Sequence, residues 1–243
     1  MAGRPWLAAL GRWATARAAL YWGRRHHSAA AWGSNVDLAP LLAVALLAYL
    51  IGSFPTGAVI ARLYRNVDLT RVGSERTGAT NVSRTLGMGA GVIVLLGDFG
   101  KGMLAIWVAQ RIDPIPLATA VAGFLTVVGH NRSIFLKGRG GRGVVTGLGG
   151  LSVAAIGVFI PACLTGCIVS TATRYISLGS ICGCAMAIVA GIVGYATGNL
   201  PVELLVYTIV TPAYVIAAHA DNIARLRAGT ERRLGQRQEP ARP

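Results

Sequence analysis

Acids are scarce in this chain. Of 243 residues only nine are Asp or Glu, against 23 Lys and Arg, and charged residues of both signs make up 13%, about half the share usual in a soluble domain. Lysine is rarer still. Lys101 and Lys137 are the only two, so the chain prefers arginine throughout, and an Arg at one position does not by itself mark a choice over Lys. The four cysteines, Cys163, Cys167, Cys182 and Cys184, make no CxxC pair and have no histidine nearby. That removes the spacing a metal site needs, and they read as small packing residues. There is no G-x-x-x-x-G-K-[ST] loop and no G-x-S-x-G elbow. "GRGGRG" at 138–143 matches G-x-G-x-x-G only formally, because no strand precedes it and no βαβ unit surrounds it. No serine has an evident base and orienting acid at hand.

What is present is apolar. Hydrophobic residues make up 53% of the chain, with a mean hydropathy of +0.56. Several runs approach or exceed the ~20 residues that cross a bilayer. The composition indicates one all-α polytopic membrane domain. The formal charge of +14 could suit nucleic acid. The basic residues, however, sit in short segments flanking apolar runs, the distribution that membrane topology and anionic ligands produce.

The runs lie at about 39–63, 90–110, 115–129, 144–173, 181–197 and 201–218. Pro55 should kink the first. Asp98 and Lys101 lie three apart in the second and can pair on one helix face. Charges so placed are functional candidates, with a structural ion pair the equal alternative. Basic segments flank the first two polar stretches and the tail, which puts all three on the cytoplasmic side. The crossings balance if the 144–173 run breaks near Pro161 into two short or tilted segments. The expectation is therefore seven membrane segments with the carboxyl terminus inside. The domain division is a basic extension over 1–38, the membrane domain over 39–231 and a polar tail over 232–243. The extension carries five Arg, no acid before Asp37 and four of the five Trp. It reads as a surface-lying amphipathic segment without a catalytic role, with His26 and His27 solvated.

Three polar clusters then share one membrane face. The first, in "GSERTGATNVSRTLGMG" at 73–89, offers Ser74, Thr77, Thr80, Asn81 and Arg84. The second, in a glycine-rich stretch, offers His130, Lys137, Arg139 and Arg142. The third offers His219, Asn222, Arg225 and Glu231, with His219 and Asn222 on one helix face. Cations, hydroxyls and the N–H groups that glycine exposes are what a phosphate requires. The clusters also read as poor in acids. Each alone could be a topogenic loop; three at one face point to a phosphate-handling site.

"GSERTGATNVSR", "GHNRSIFLKGRGGRGVVTG" and "HADNIARLRAGTE" resemble, in order, the three motifs of the bacterial membrane glycerol-3-phosphate acyltransferases that use acyl phosphate. Those motifs run roughly G-S-G-N-x-G-A-T-N-x-x-R, G-H-x-F-P-x-F-L-x-F-K-G-G-K-G-V-A-T and H-R-x-N-I-x-R-L-x-x-G-x-E. "LLGDFGKGMLA" and "TRYISLGS" resemble family segments too, and the resemblance covers about 40–231. Glu75 and Arg76 stand in place of Gly-Asn, Asn131, Arg132 and Ser133 in place of residues before the "IFLK" run, and Arg139 and Arg142 in place of two lysines. The His-x4-Asp signature of many other lipid acyltransferases is missing.

The resemblance implies a seven-segment enzyme of the bacterial inner membrane with its site at the cytoplasmic face. It would transfer an acyl group from acyl phosphate to the 1-hydroxyl of glycerol 3-phosphate, with no metal, cofactor or acyl-enzyme. It also implies a functional link to a soluble acyltransferase that makes acyl phosphate, and no nucleic-acid partner. Catalytic roles would fall to His219, Asn222, Ser74 and Arg84, and phosphate binding to Ser74, Thr80, Asn81, Arg84, Arg139, Arg142, His219 and Asn222. His219 or a substrate phosphate would be the base. The runner-up is a non-enzymatic or transporter-like membrane protein that binds a small phosphorylated ligand. A transporter should show internal repeats, and the chain shows none.

Overall fold

The computed structural model describes residues 37–235. The expected surface helix with His26 and His27, and the tail beyond residue 235, lie outside the described residues. The chain divides after Leu38 into two units, and the fold described below is that of the second. Among the described residues every regular element is helical: α1 (Leu38–Ser53), α2 (Thr56–Arg65), α3 (Ala79–Leu86), α4 (Met88–Ile112), α5 (Pro116–Asn131), a 3-10 turn (Ile134–Leu136), α6 (Val144–Ala154), α7 (Ile156–Thr173), α8 (Ile176–Ala196), α9 (Val202–Ala217) and α10 (Ala220–Arg227).

Four helical stretches are long and apolar enough to cross a membrane: residues 38–65 taken across the α1/α2 break, α4, α7 and α8. A fifth arises if α9 and α10, bent by 58°, make one span. A count of seven needs α5 and α6 as well, and at 16 and 11 residues these fall short of the ~20 residues of a full crossing. Large apolar side chains such as Leu42, Leu96, Trp107, Leu164, Ile168 and Val206 face outward, as a lipid-facing surface requires. Contacts between helices are made by small residues. A Cβ on Gly102 of α4 would lie 2.1 Å from the Thr146 carbonyl of α6, and one on Gly183 of α8 would lie 2.9 Å from the Ala162 carbonyl of α7.

Two breaks deserve a cause. The first span breaks at Phe54–Pro55, as the proline predicts. The break frees carbonyls inside an apolar layer, where each needs a partner. Lys101 Nζ donates to Phe54 O at 3.1 Å and Ser133 Oγ to Ser53 O at 2.5 Å. Lys101 Nζ in turn lies 2.9 Å from Asp98 Oδ1, with His130 Nδ1 3.6 Å from the same oxygen. The Asp98–Lys101 pair therefore closes a broken helix. The second break corrects an expectation: the 144–173 run parts at Ala155 (φ −154°, ψ 77°), while Pro161 sits inside α7. Pro161 has no N–H to give the Gly157 carbonyl, so α7 runs on with one backbone bond fewer. The "TRYISLGS" segment is also more ordered than its polarity suggests, since α8 begins at Ile176.

Candidate active site

Each polar cluster is placed by a backbone device. In the first, Asn81 in the opening turn of α3 is buried and fully occupied. Its Nδ2 donates to Val72 O at 3.1 Å and Arg76 O at 2.8 Å, and its Oδ1 accepts from the Ser74 N–H at 3.1 Å. Asn81 thus clamps the 72–76 loop, and its amide is spent on that loop. Glu75 takes a left-handed conformation (φ 56°), a region that favours glycine, which gives a physical reason for the glycine at this place in the resembled motif. Thr77 N donates to Gly140 O at 3.4 Å, so the first loop is tied to the second.

In the second cluster the Gly141 N–H donates to His130 O at 3.1 Å. A Cβ on Gly141 would fall 2.0 Å from His130 Nε2, so only glycine lets the loop lie on that ring. Gly143 (φ 81°) turns the chain into α6. Between these two glycines Arg142 is directed at the third cluster. Its Nη2 meets Asp221 Oδ2 at 2.6 Å and its Nε donates to Ala218 O at 3.3 Å. Arg139 and Lys137 are exposed instead. Of the two candidate arginines, the fold brings Arg142 alone to the third cluster.

In the third cluster His219, which is 3% exposed, lies at the bend between α9 and α10. Its Nδ1 is 2.7 Å from Val215 O. A carbonyl only accepts, so Nδ1 carries the proton and Nε2 keeps its lone pair. Asn222 Nδ2 donates to Glu231 Oε1 at 2.7 Å, while Asn222 Oδ1 is buried without a hydrogen bond. Glu231 also accepts from Ser177 Oγ at 2.9 Å and Arg225 Nε at 2.8 Å. Burial alone would raise the Glu231 carboxyl; hydrogen bonds from Asn222, Arg225 and Ser177 outweigh it and hold the group below the usual carboxylate range.

Past Glu231 the chain straps across this end of the molecule. Arg84 Nη2 contacts Arg232 O at 3.5 Å, and Leu234 N donates to Arg174 O at 2.6 Å. Leu234 and Gly235 reach the mouth of a cavity of about 630 Å³ that runs between α4, α6, α7, α8 and α9. Thr80, Ser83 and Arg84 line its polar end. Deeper walls are apolar and include Leu95, Leu151, Ala187 and Tyr207, with Cys163, Cys167 and Cys184 among them. Arg142 directly precedes the lining residue Gly143, and His219 bonds to the carbonyl of the lining residue Val215.

The cations here are crowded. Burial, then repulsion from Arg232, Arg142 and Arg225, pushes the Arg84 guanidinium below its ordinary pKa against the pull of Glu231. Burial likewise lowers Arg142, with Arg76 and Arg225 adding to it and Asp221 offsetting it. An anion brought to these arginines relieves both effects. The expectation of an acid-poor cluster fails: Asp221 and Glu231 sit at its centre. Asp221, Arg76 and Ser177 are the residues that sequence reasoning passed over. Asp221 meets Arg142 from 79 positions away, a pairing that no local spacing reveals. Among the described residues no three His, Cys, Asp or Glu side chains gather as a metal site.

A helical membrane body with an arginine-rich pocket at the mouth of an apolar cavity defines an integral membrane protein that handles an anionic head and an apolar tail. Residues 42–229 match the family described as Glycerol-3-phosphate acyltransferase. A glycerol-3-phosphate acyltransferase of Carboxydothermus hydrogenoformans is 38% identical over 81% of this chain and 98% of its own length, and one of Thermus thermophilus 40% identical over 80% and 95%. The crystal structure of PlsY, an integral membrane glycerol 3-phosphate acyltransferase, in its glycerol 3-phosphate form aligns with a TM-score of 0.73 at 37% identity, covering 80% of this chain and 96% of that one. Its lysophosphatidic acid form aligns at 0.71 and 36%. The chain belongs to the glycerol-3-phosphate acyltransferase family.

Proposed function

We propose that the chain transfers a fatty acyl group from acyl phosphate to the 1-hydroxyl of glycerol 3-phosphate at the cytoplasmic face of a bacterial inner membrane. The observation that carries this reading is the clustering of charge at the mouth of the apolar cavity: Arg84 lines it, the charges of Arg142 and Glu231 act on Arg84, Glu231 holds Asn222, and the charge of Arg142 acts on His219. Such a site takes two anions by their phosphates and one of them also by its tail.

In this reading Arg142 and Arg84, with Ser74 and Thr80 beside them, hold the phosphates, and the acyl chain lies in the cavity. Asn222 Oδ1 accepts a hydrogen bond from the glycerol backbone, and Asn81 serves by shaping the loop of Ser74. The 1-hydroxyl oxygen attacks the acyl carbonyl carbon. The resulting oxyanion is stabilised by the arginines. Collapse breaks the carbon–oxygen bond to phosphate, which leaves with the electron pair. The hydroxyl proton passes to His219 Nε2 or to a phosphate oxygen. Acyl phosphate is already activated, so bringing the two anions together in the right orientation supplies much of the catalysis. The donor would come from a soluble acyltransferase that produces acyl phosphate.

The test is purified protein in detergent with labelled glycerol 3-phosphate and either acyl phosphate or an acyl thioester. Lysophosphatidate and phosphate in equal amounts from acyl phosphate alone are expected. Product from the thioester alone would overturn the donor, and no product from either would overturn the activity. Reporters placed near residue 140 and after Pro243 should both read cytoplasmic.

A further inference from the structure

The two acids of the pocket differ in how they are held. Glu231 is saturated: Asn222, Ser177 and Arg225 all donate to it, and its side chain is 5% exposed. Asp221 is held only by guanidinium groups, Arg142 at 2.6 Å and Arg225 at 3.3 Å, and its side chain is 41% exposed. A carboxylate and a phosphate present the same kind of oxygen edge to a guanidinium. Asp221 therefore occupies on Arg142 the place that a substrate phosphate needs. Moving Asp221 away leaves both arginines in position, because Arg225 stays on Glu231 and Arg142 keeps its bond to Ala218 O.

We propose that Asp221 is an internal counter-anion: it holds Arg142 while the pocket is empty, yields it to a substrate phosphate, and reclaims it as inorganic phosphate leaves. The proposal rests on the reading that Arg142 receives a substrate phosphate. Asp221 is thus a positioning residue that sets how tightly phosphates are held. It keeps the guanidinium of Arg142, whose side chain is 17% exposed, from standing uncompensated between turnovers. It also prevents the product phosphate from occupying the site for long.

The sign of one substitution separates this from a simple anchoring role. In Asp221→Asn the KM for glycerol 3-phosphate should fall, and inhibition by inorganic phosphate should tighten, each by about two- to fivefold, the range a partly exposed ion pair supports. The kcat should not rise. A thermal titration with inorganic phosphate should show larger stabilisation of Asp221→Asn than of the wild type, and Asp221→Glu should restore wild-type inhibition. If KM and phosphate inhibition are unchanged or weaker in Asp221→Asn, Asp221 merely orients Arg142 and the proposal falls. Arg142→Ala separates the two layers. If that variant keeps wild-type kinetics, the phosphate reading of Arg142 fails. If it loses activity while Asp221→Asn does not tighten phosphate binding, only the counter-anion fails.

Discussion

The charges at Asp98 and Lys101 and those around Arg142 are both withdrawn from water, but they are built to opposite ends. In the first cluster one acid meets one lysine, the lysine also satisfies a backbone carbonyl, and the space between them is too small for a water molecule. In the second, Arg76, Arg84, Arg142, Arg225 and Arg232 influence one another around two acids. A cavity of about 630 Å³ adjoins it. Balance and closure mark the cluster that holds the fold. Cationic excess next to open space marks the one proposed to receive a ligand.

Removing one charge from each cluster should give different kinds of loss. Lys101→Met leaves Asp98 buried and unpaired and Phe54 O without its donor, so about 3–5 kcal/mol of stability should go. The yield and Tm of folded protein in detergent check this, and adding Asp98→Leu should return much of it. Arg142→Ala should keep the wild-type Tm while kcat/KM falls at least about tenfold, the worth of a hydrogen bond to a charged partner at roughly 1.5–3 kcal/mol. Arg142→Lys should recover much of that. If Arg142→Ala unfolds the protein as Lys101→Met does, the distinction between the clusters collapses.

Glu231→Gln should cost about 1 kcal/mol and loosen the strap. Because the folded protein depresses this carboxyl, its contribution is present above the ordinary glutamate pKa and is lost as pH falls through the lower folded value. The Tm gap between wild type and Glu231→Gln should therefore narrow below about pH 4. Arg139→Ala, at an exposed position, should leave stability within about 0.5 kcal/mol and activity near that of the wild type.

Much of this was legible in the residues. Apolar runs placed the helices, Pro55 placed a break, and the three motifs named the polar stretches that the fold ties together. The rest depends on contacts that chain order hides. The helix breaks at Ala155 and carries Pro161 inside α7, and nothing in the spacing of the apolar residues marks that choice. Asn81 and Arg142 look alike as polar motif residues, yet one is spent on its own loop and the other reaches across to α10. Arg139 and Arg142 match the resembled motif equally well, and only the left-handed turn at Gly143 and the seat of Gly141 on His130 separate them.

The strap from Glu231 to Gly235 has a consequence in time. These residues follow every membrane helix described, and they join Ser177, Arg84 and Arg174 from helices made well before them. A chain is synthesised from its amino terminus. The membrane helices can therefore be inserted while the pocket still lacks Glu231. Until the ribosome has delivered the strap, Ser177, Asn222 and Arg225 lack the carboxylate that they share, and the pocket proposed to hold the headgroup is unfinished.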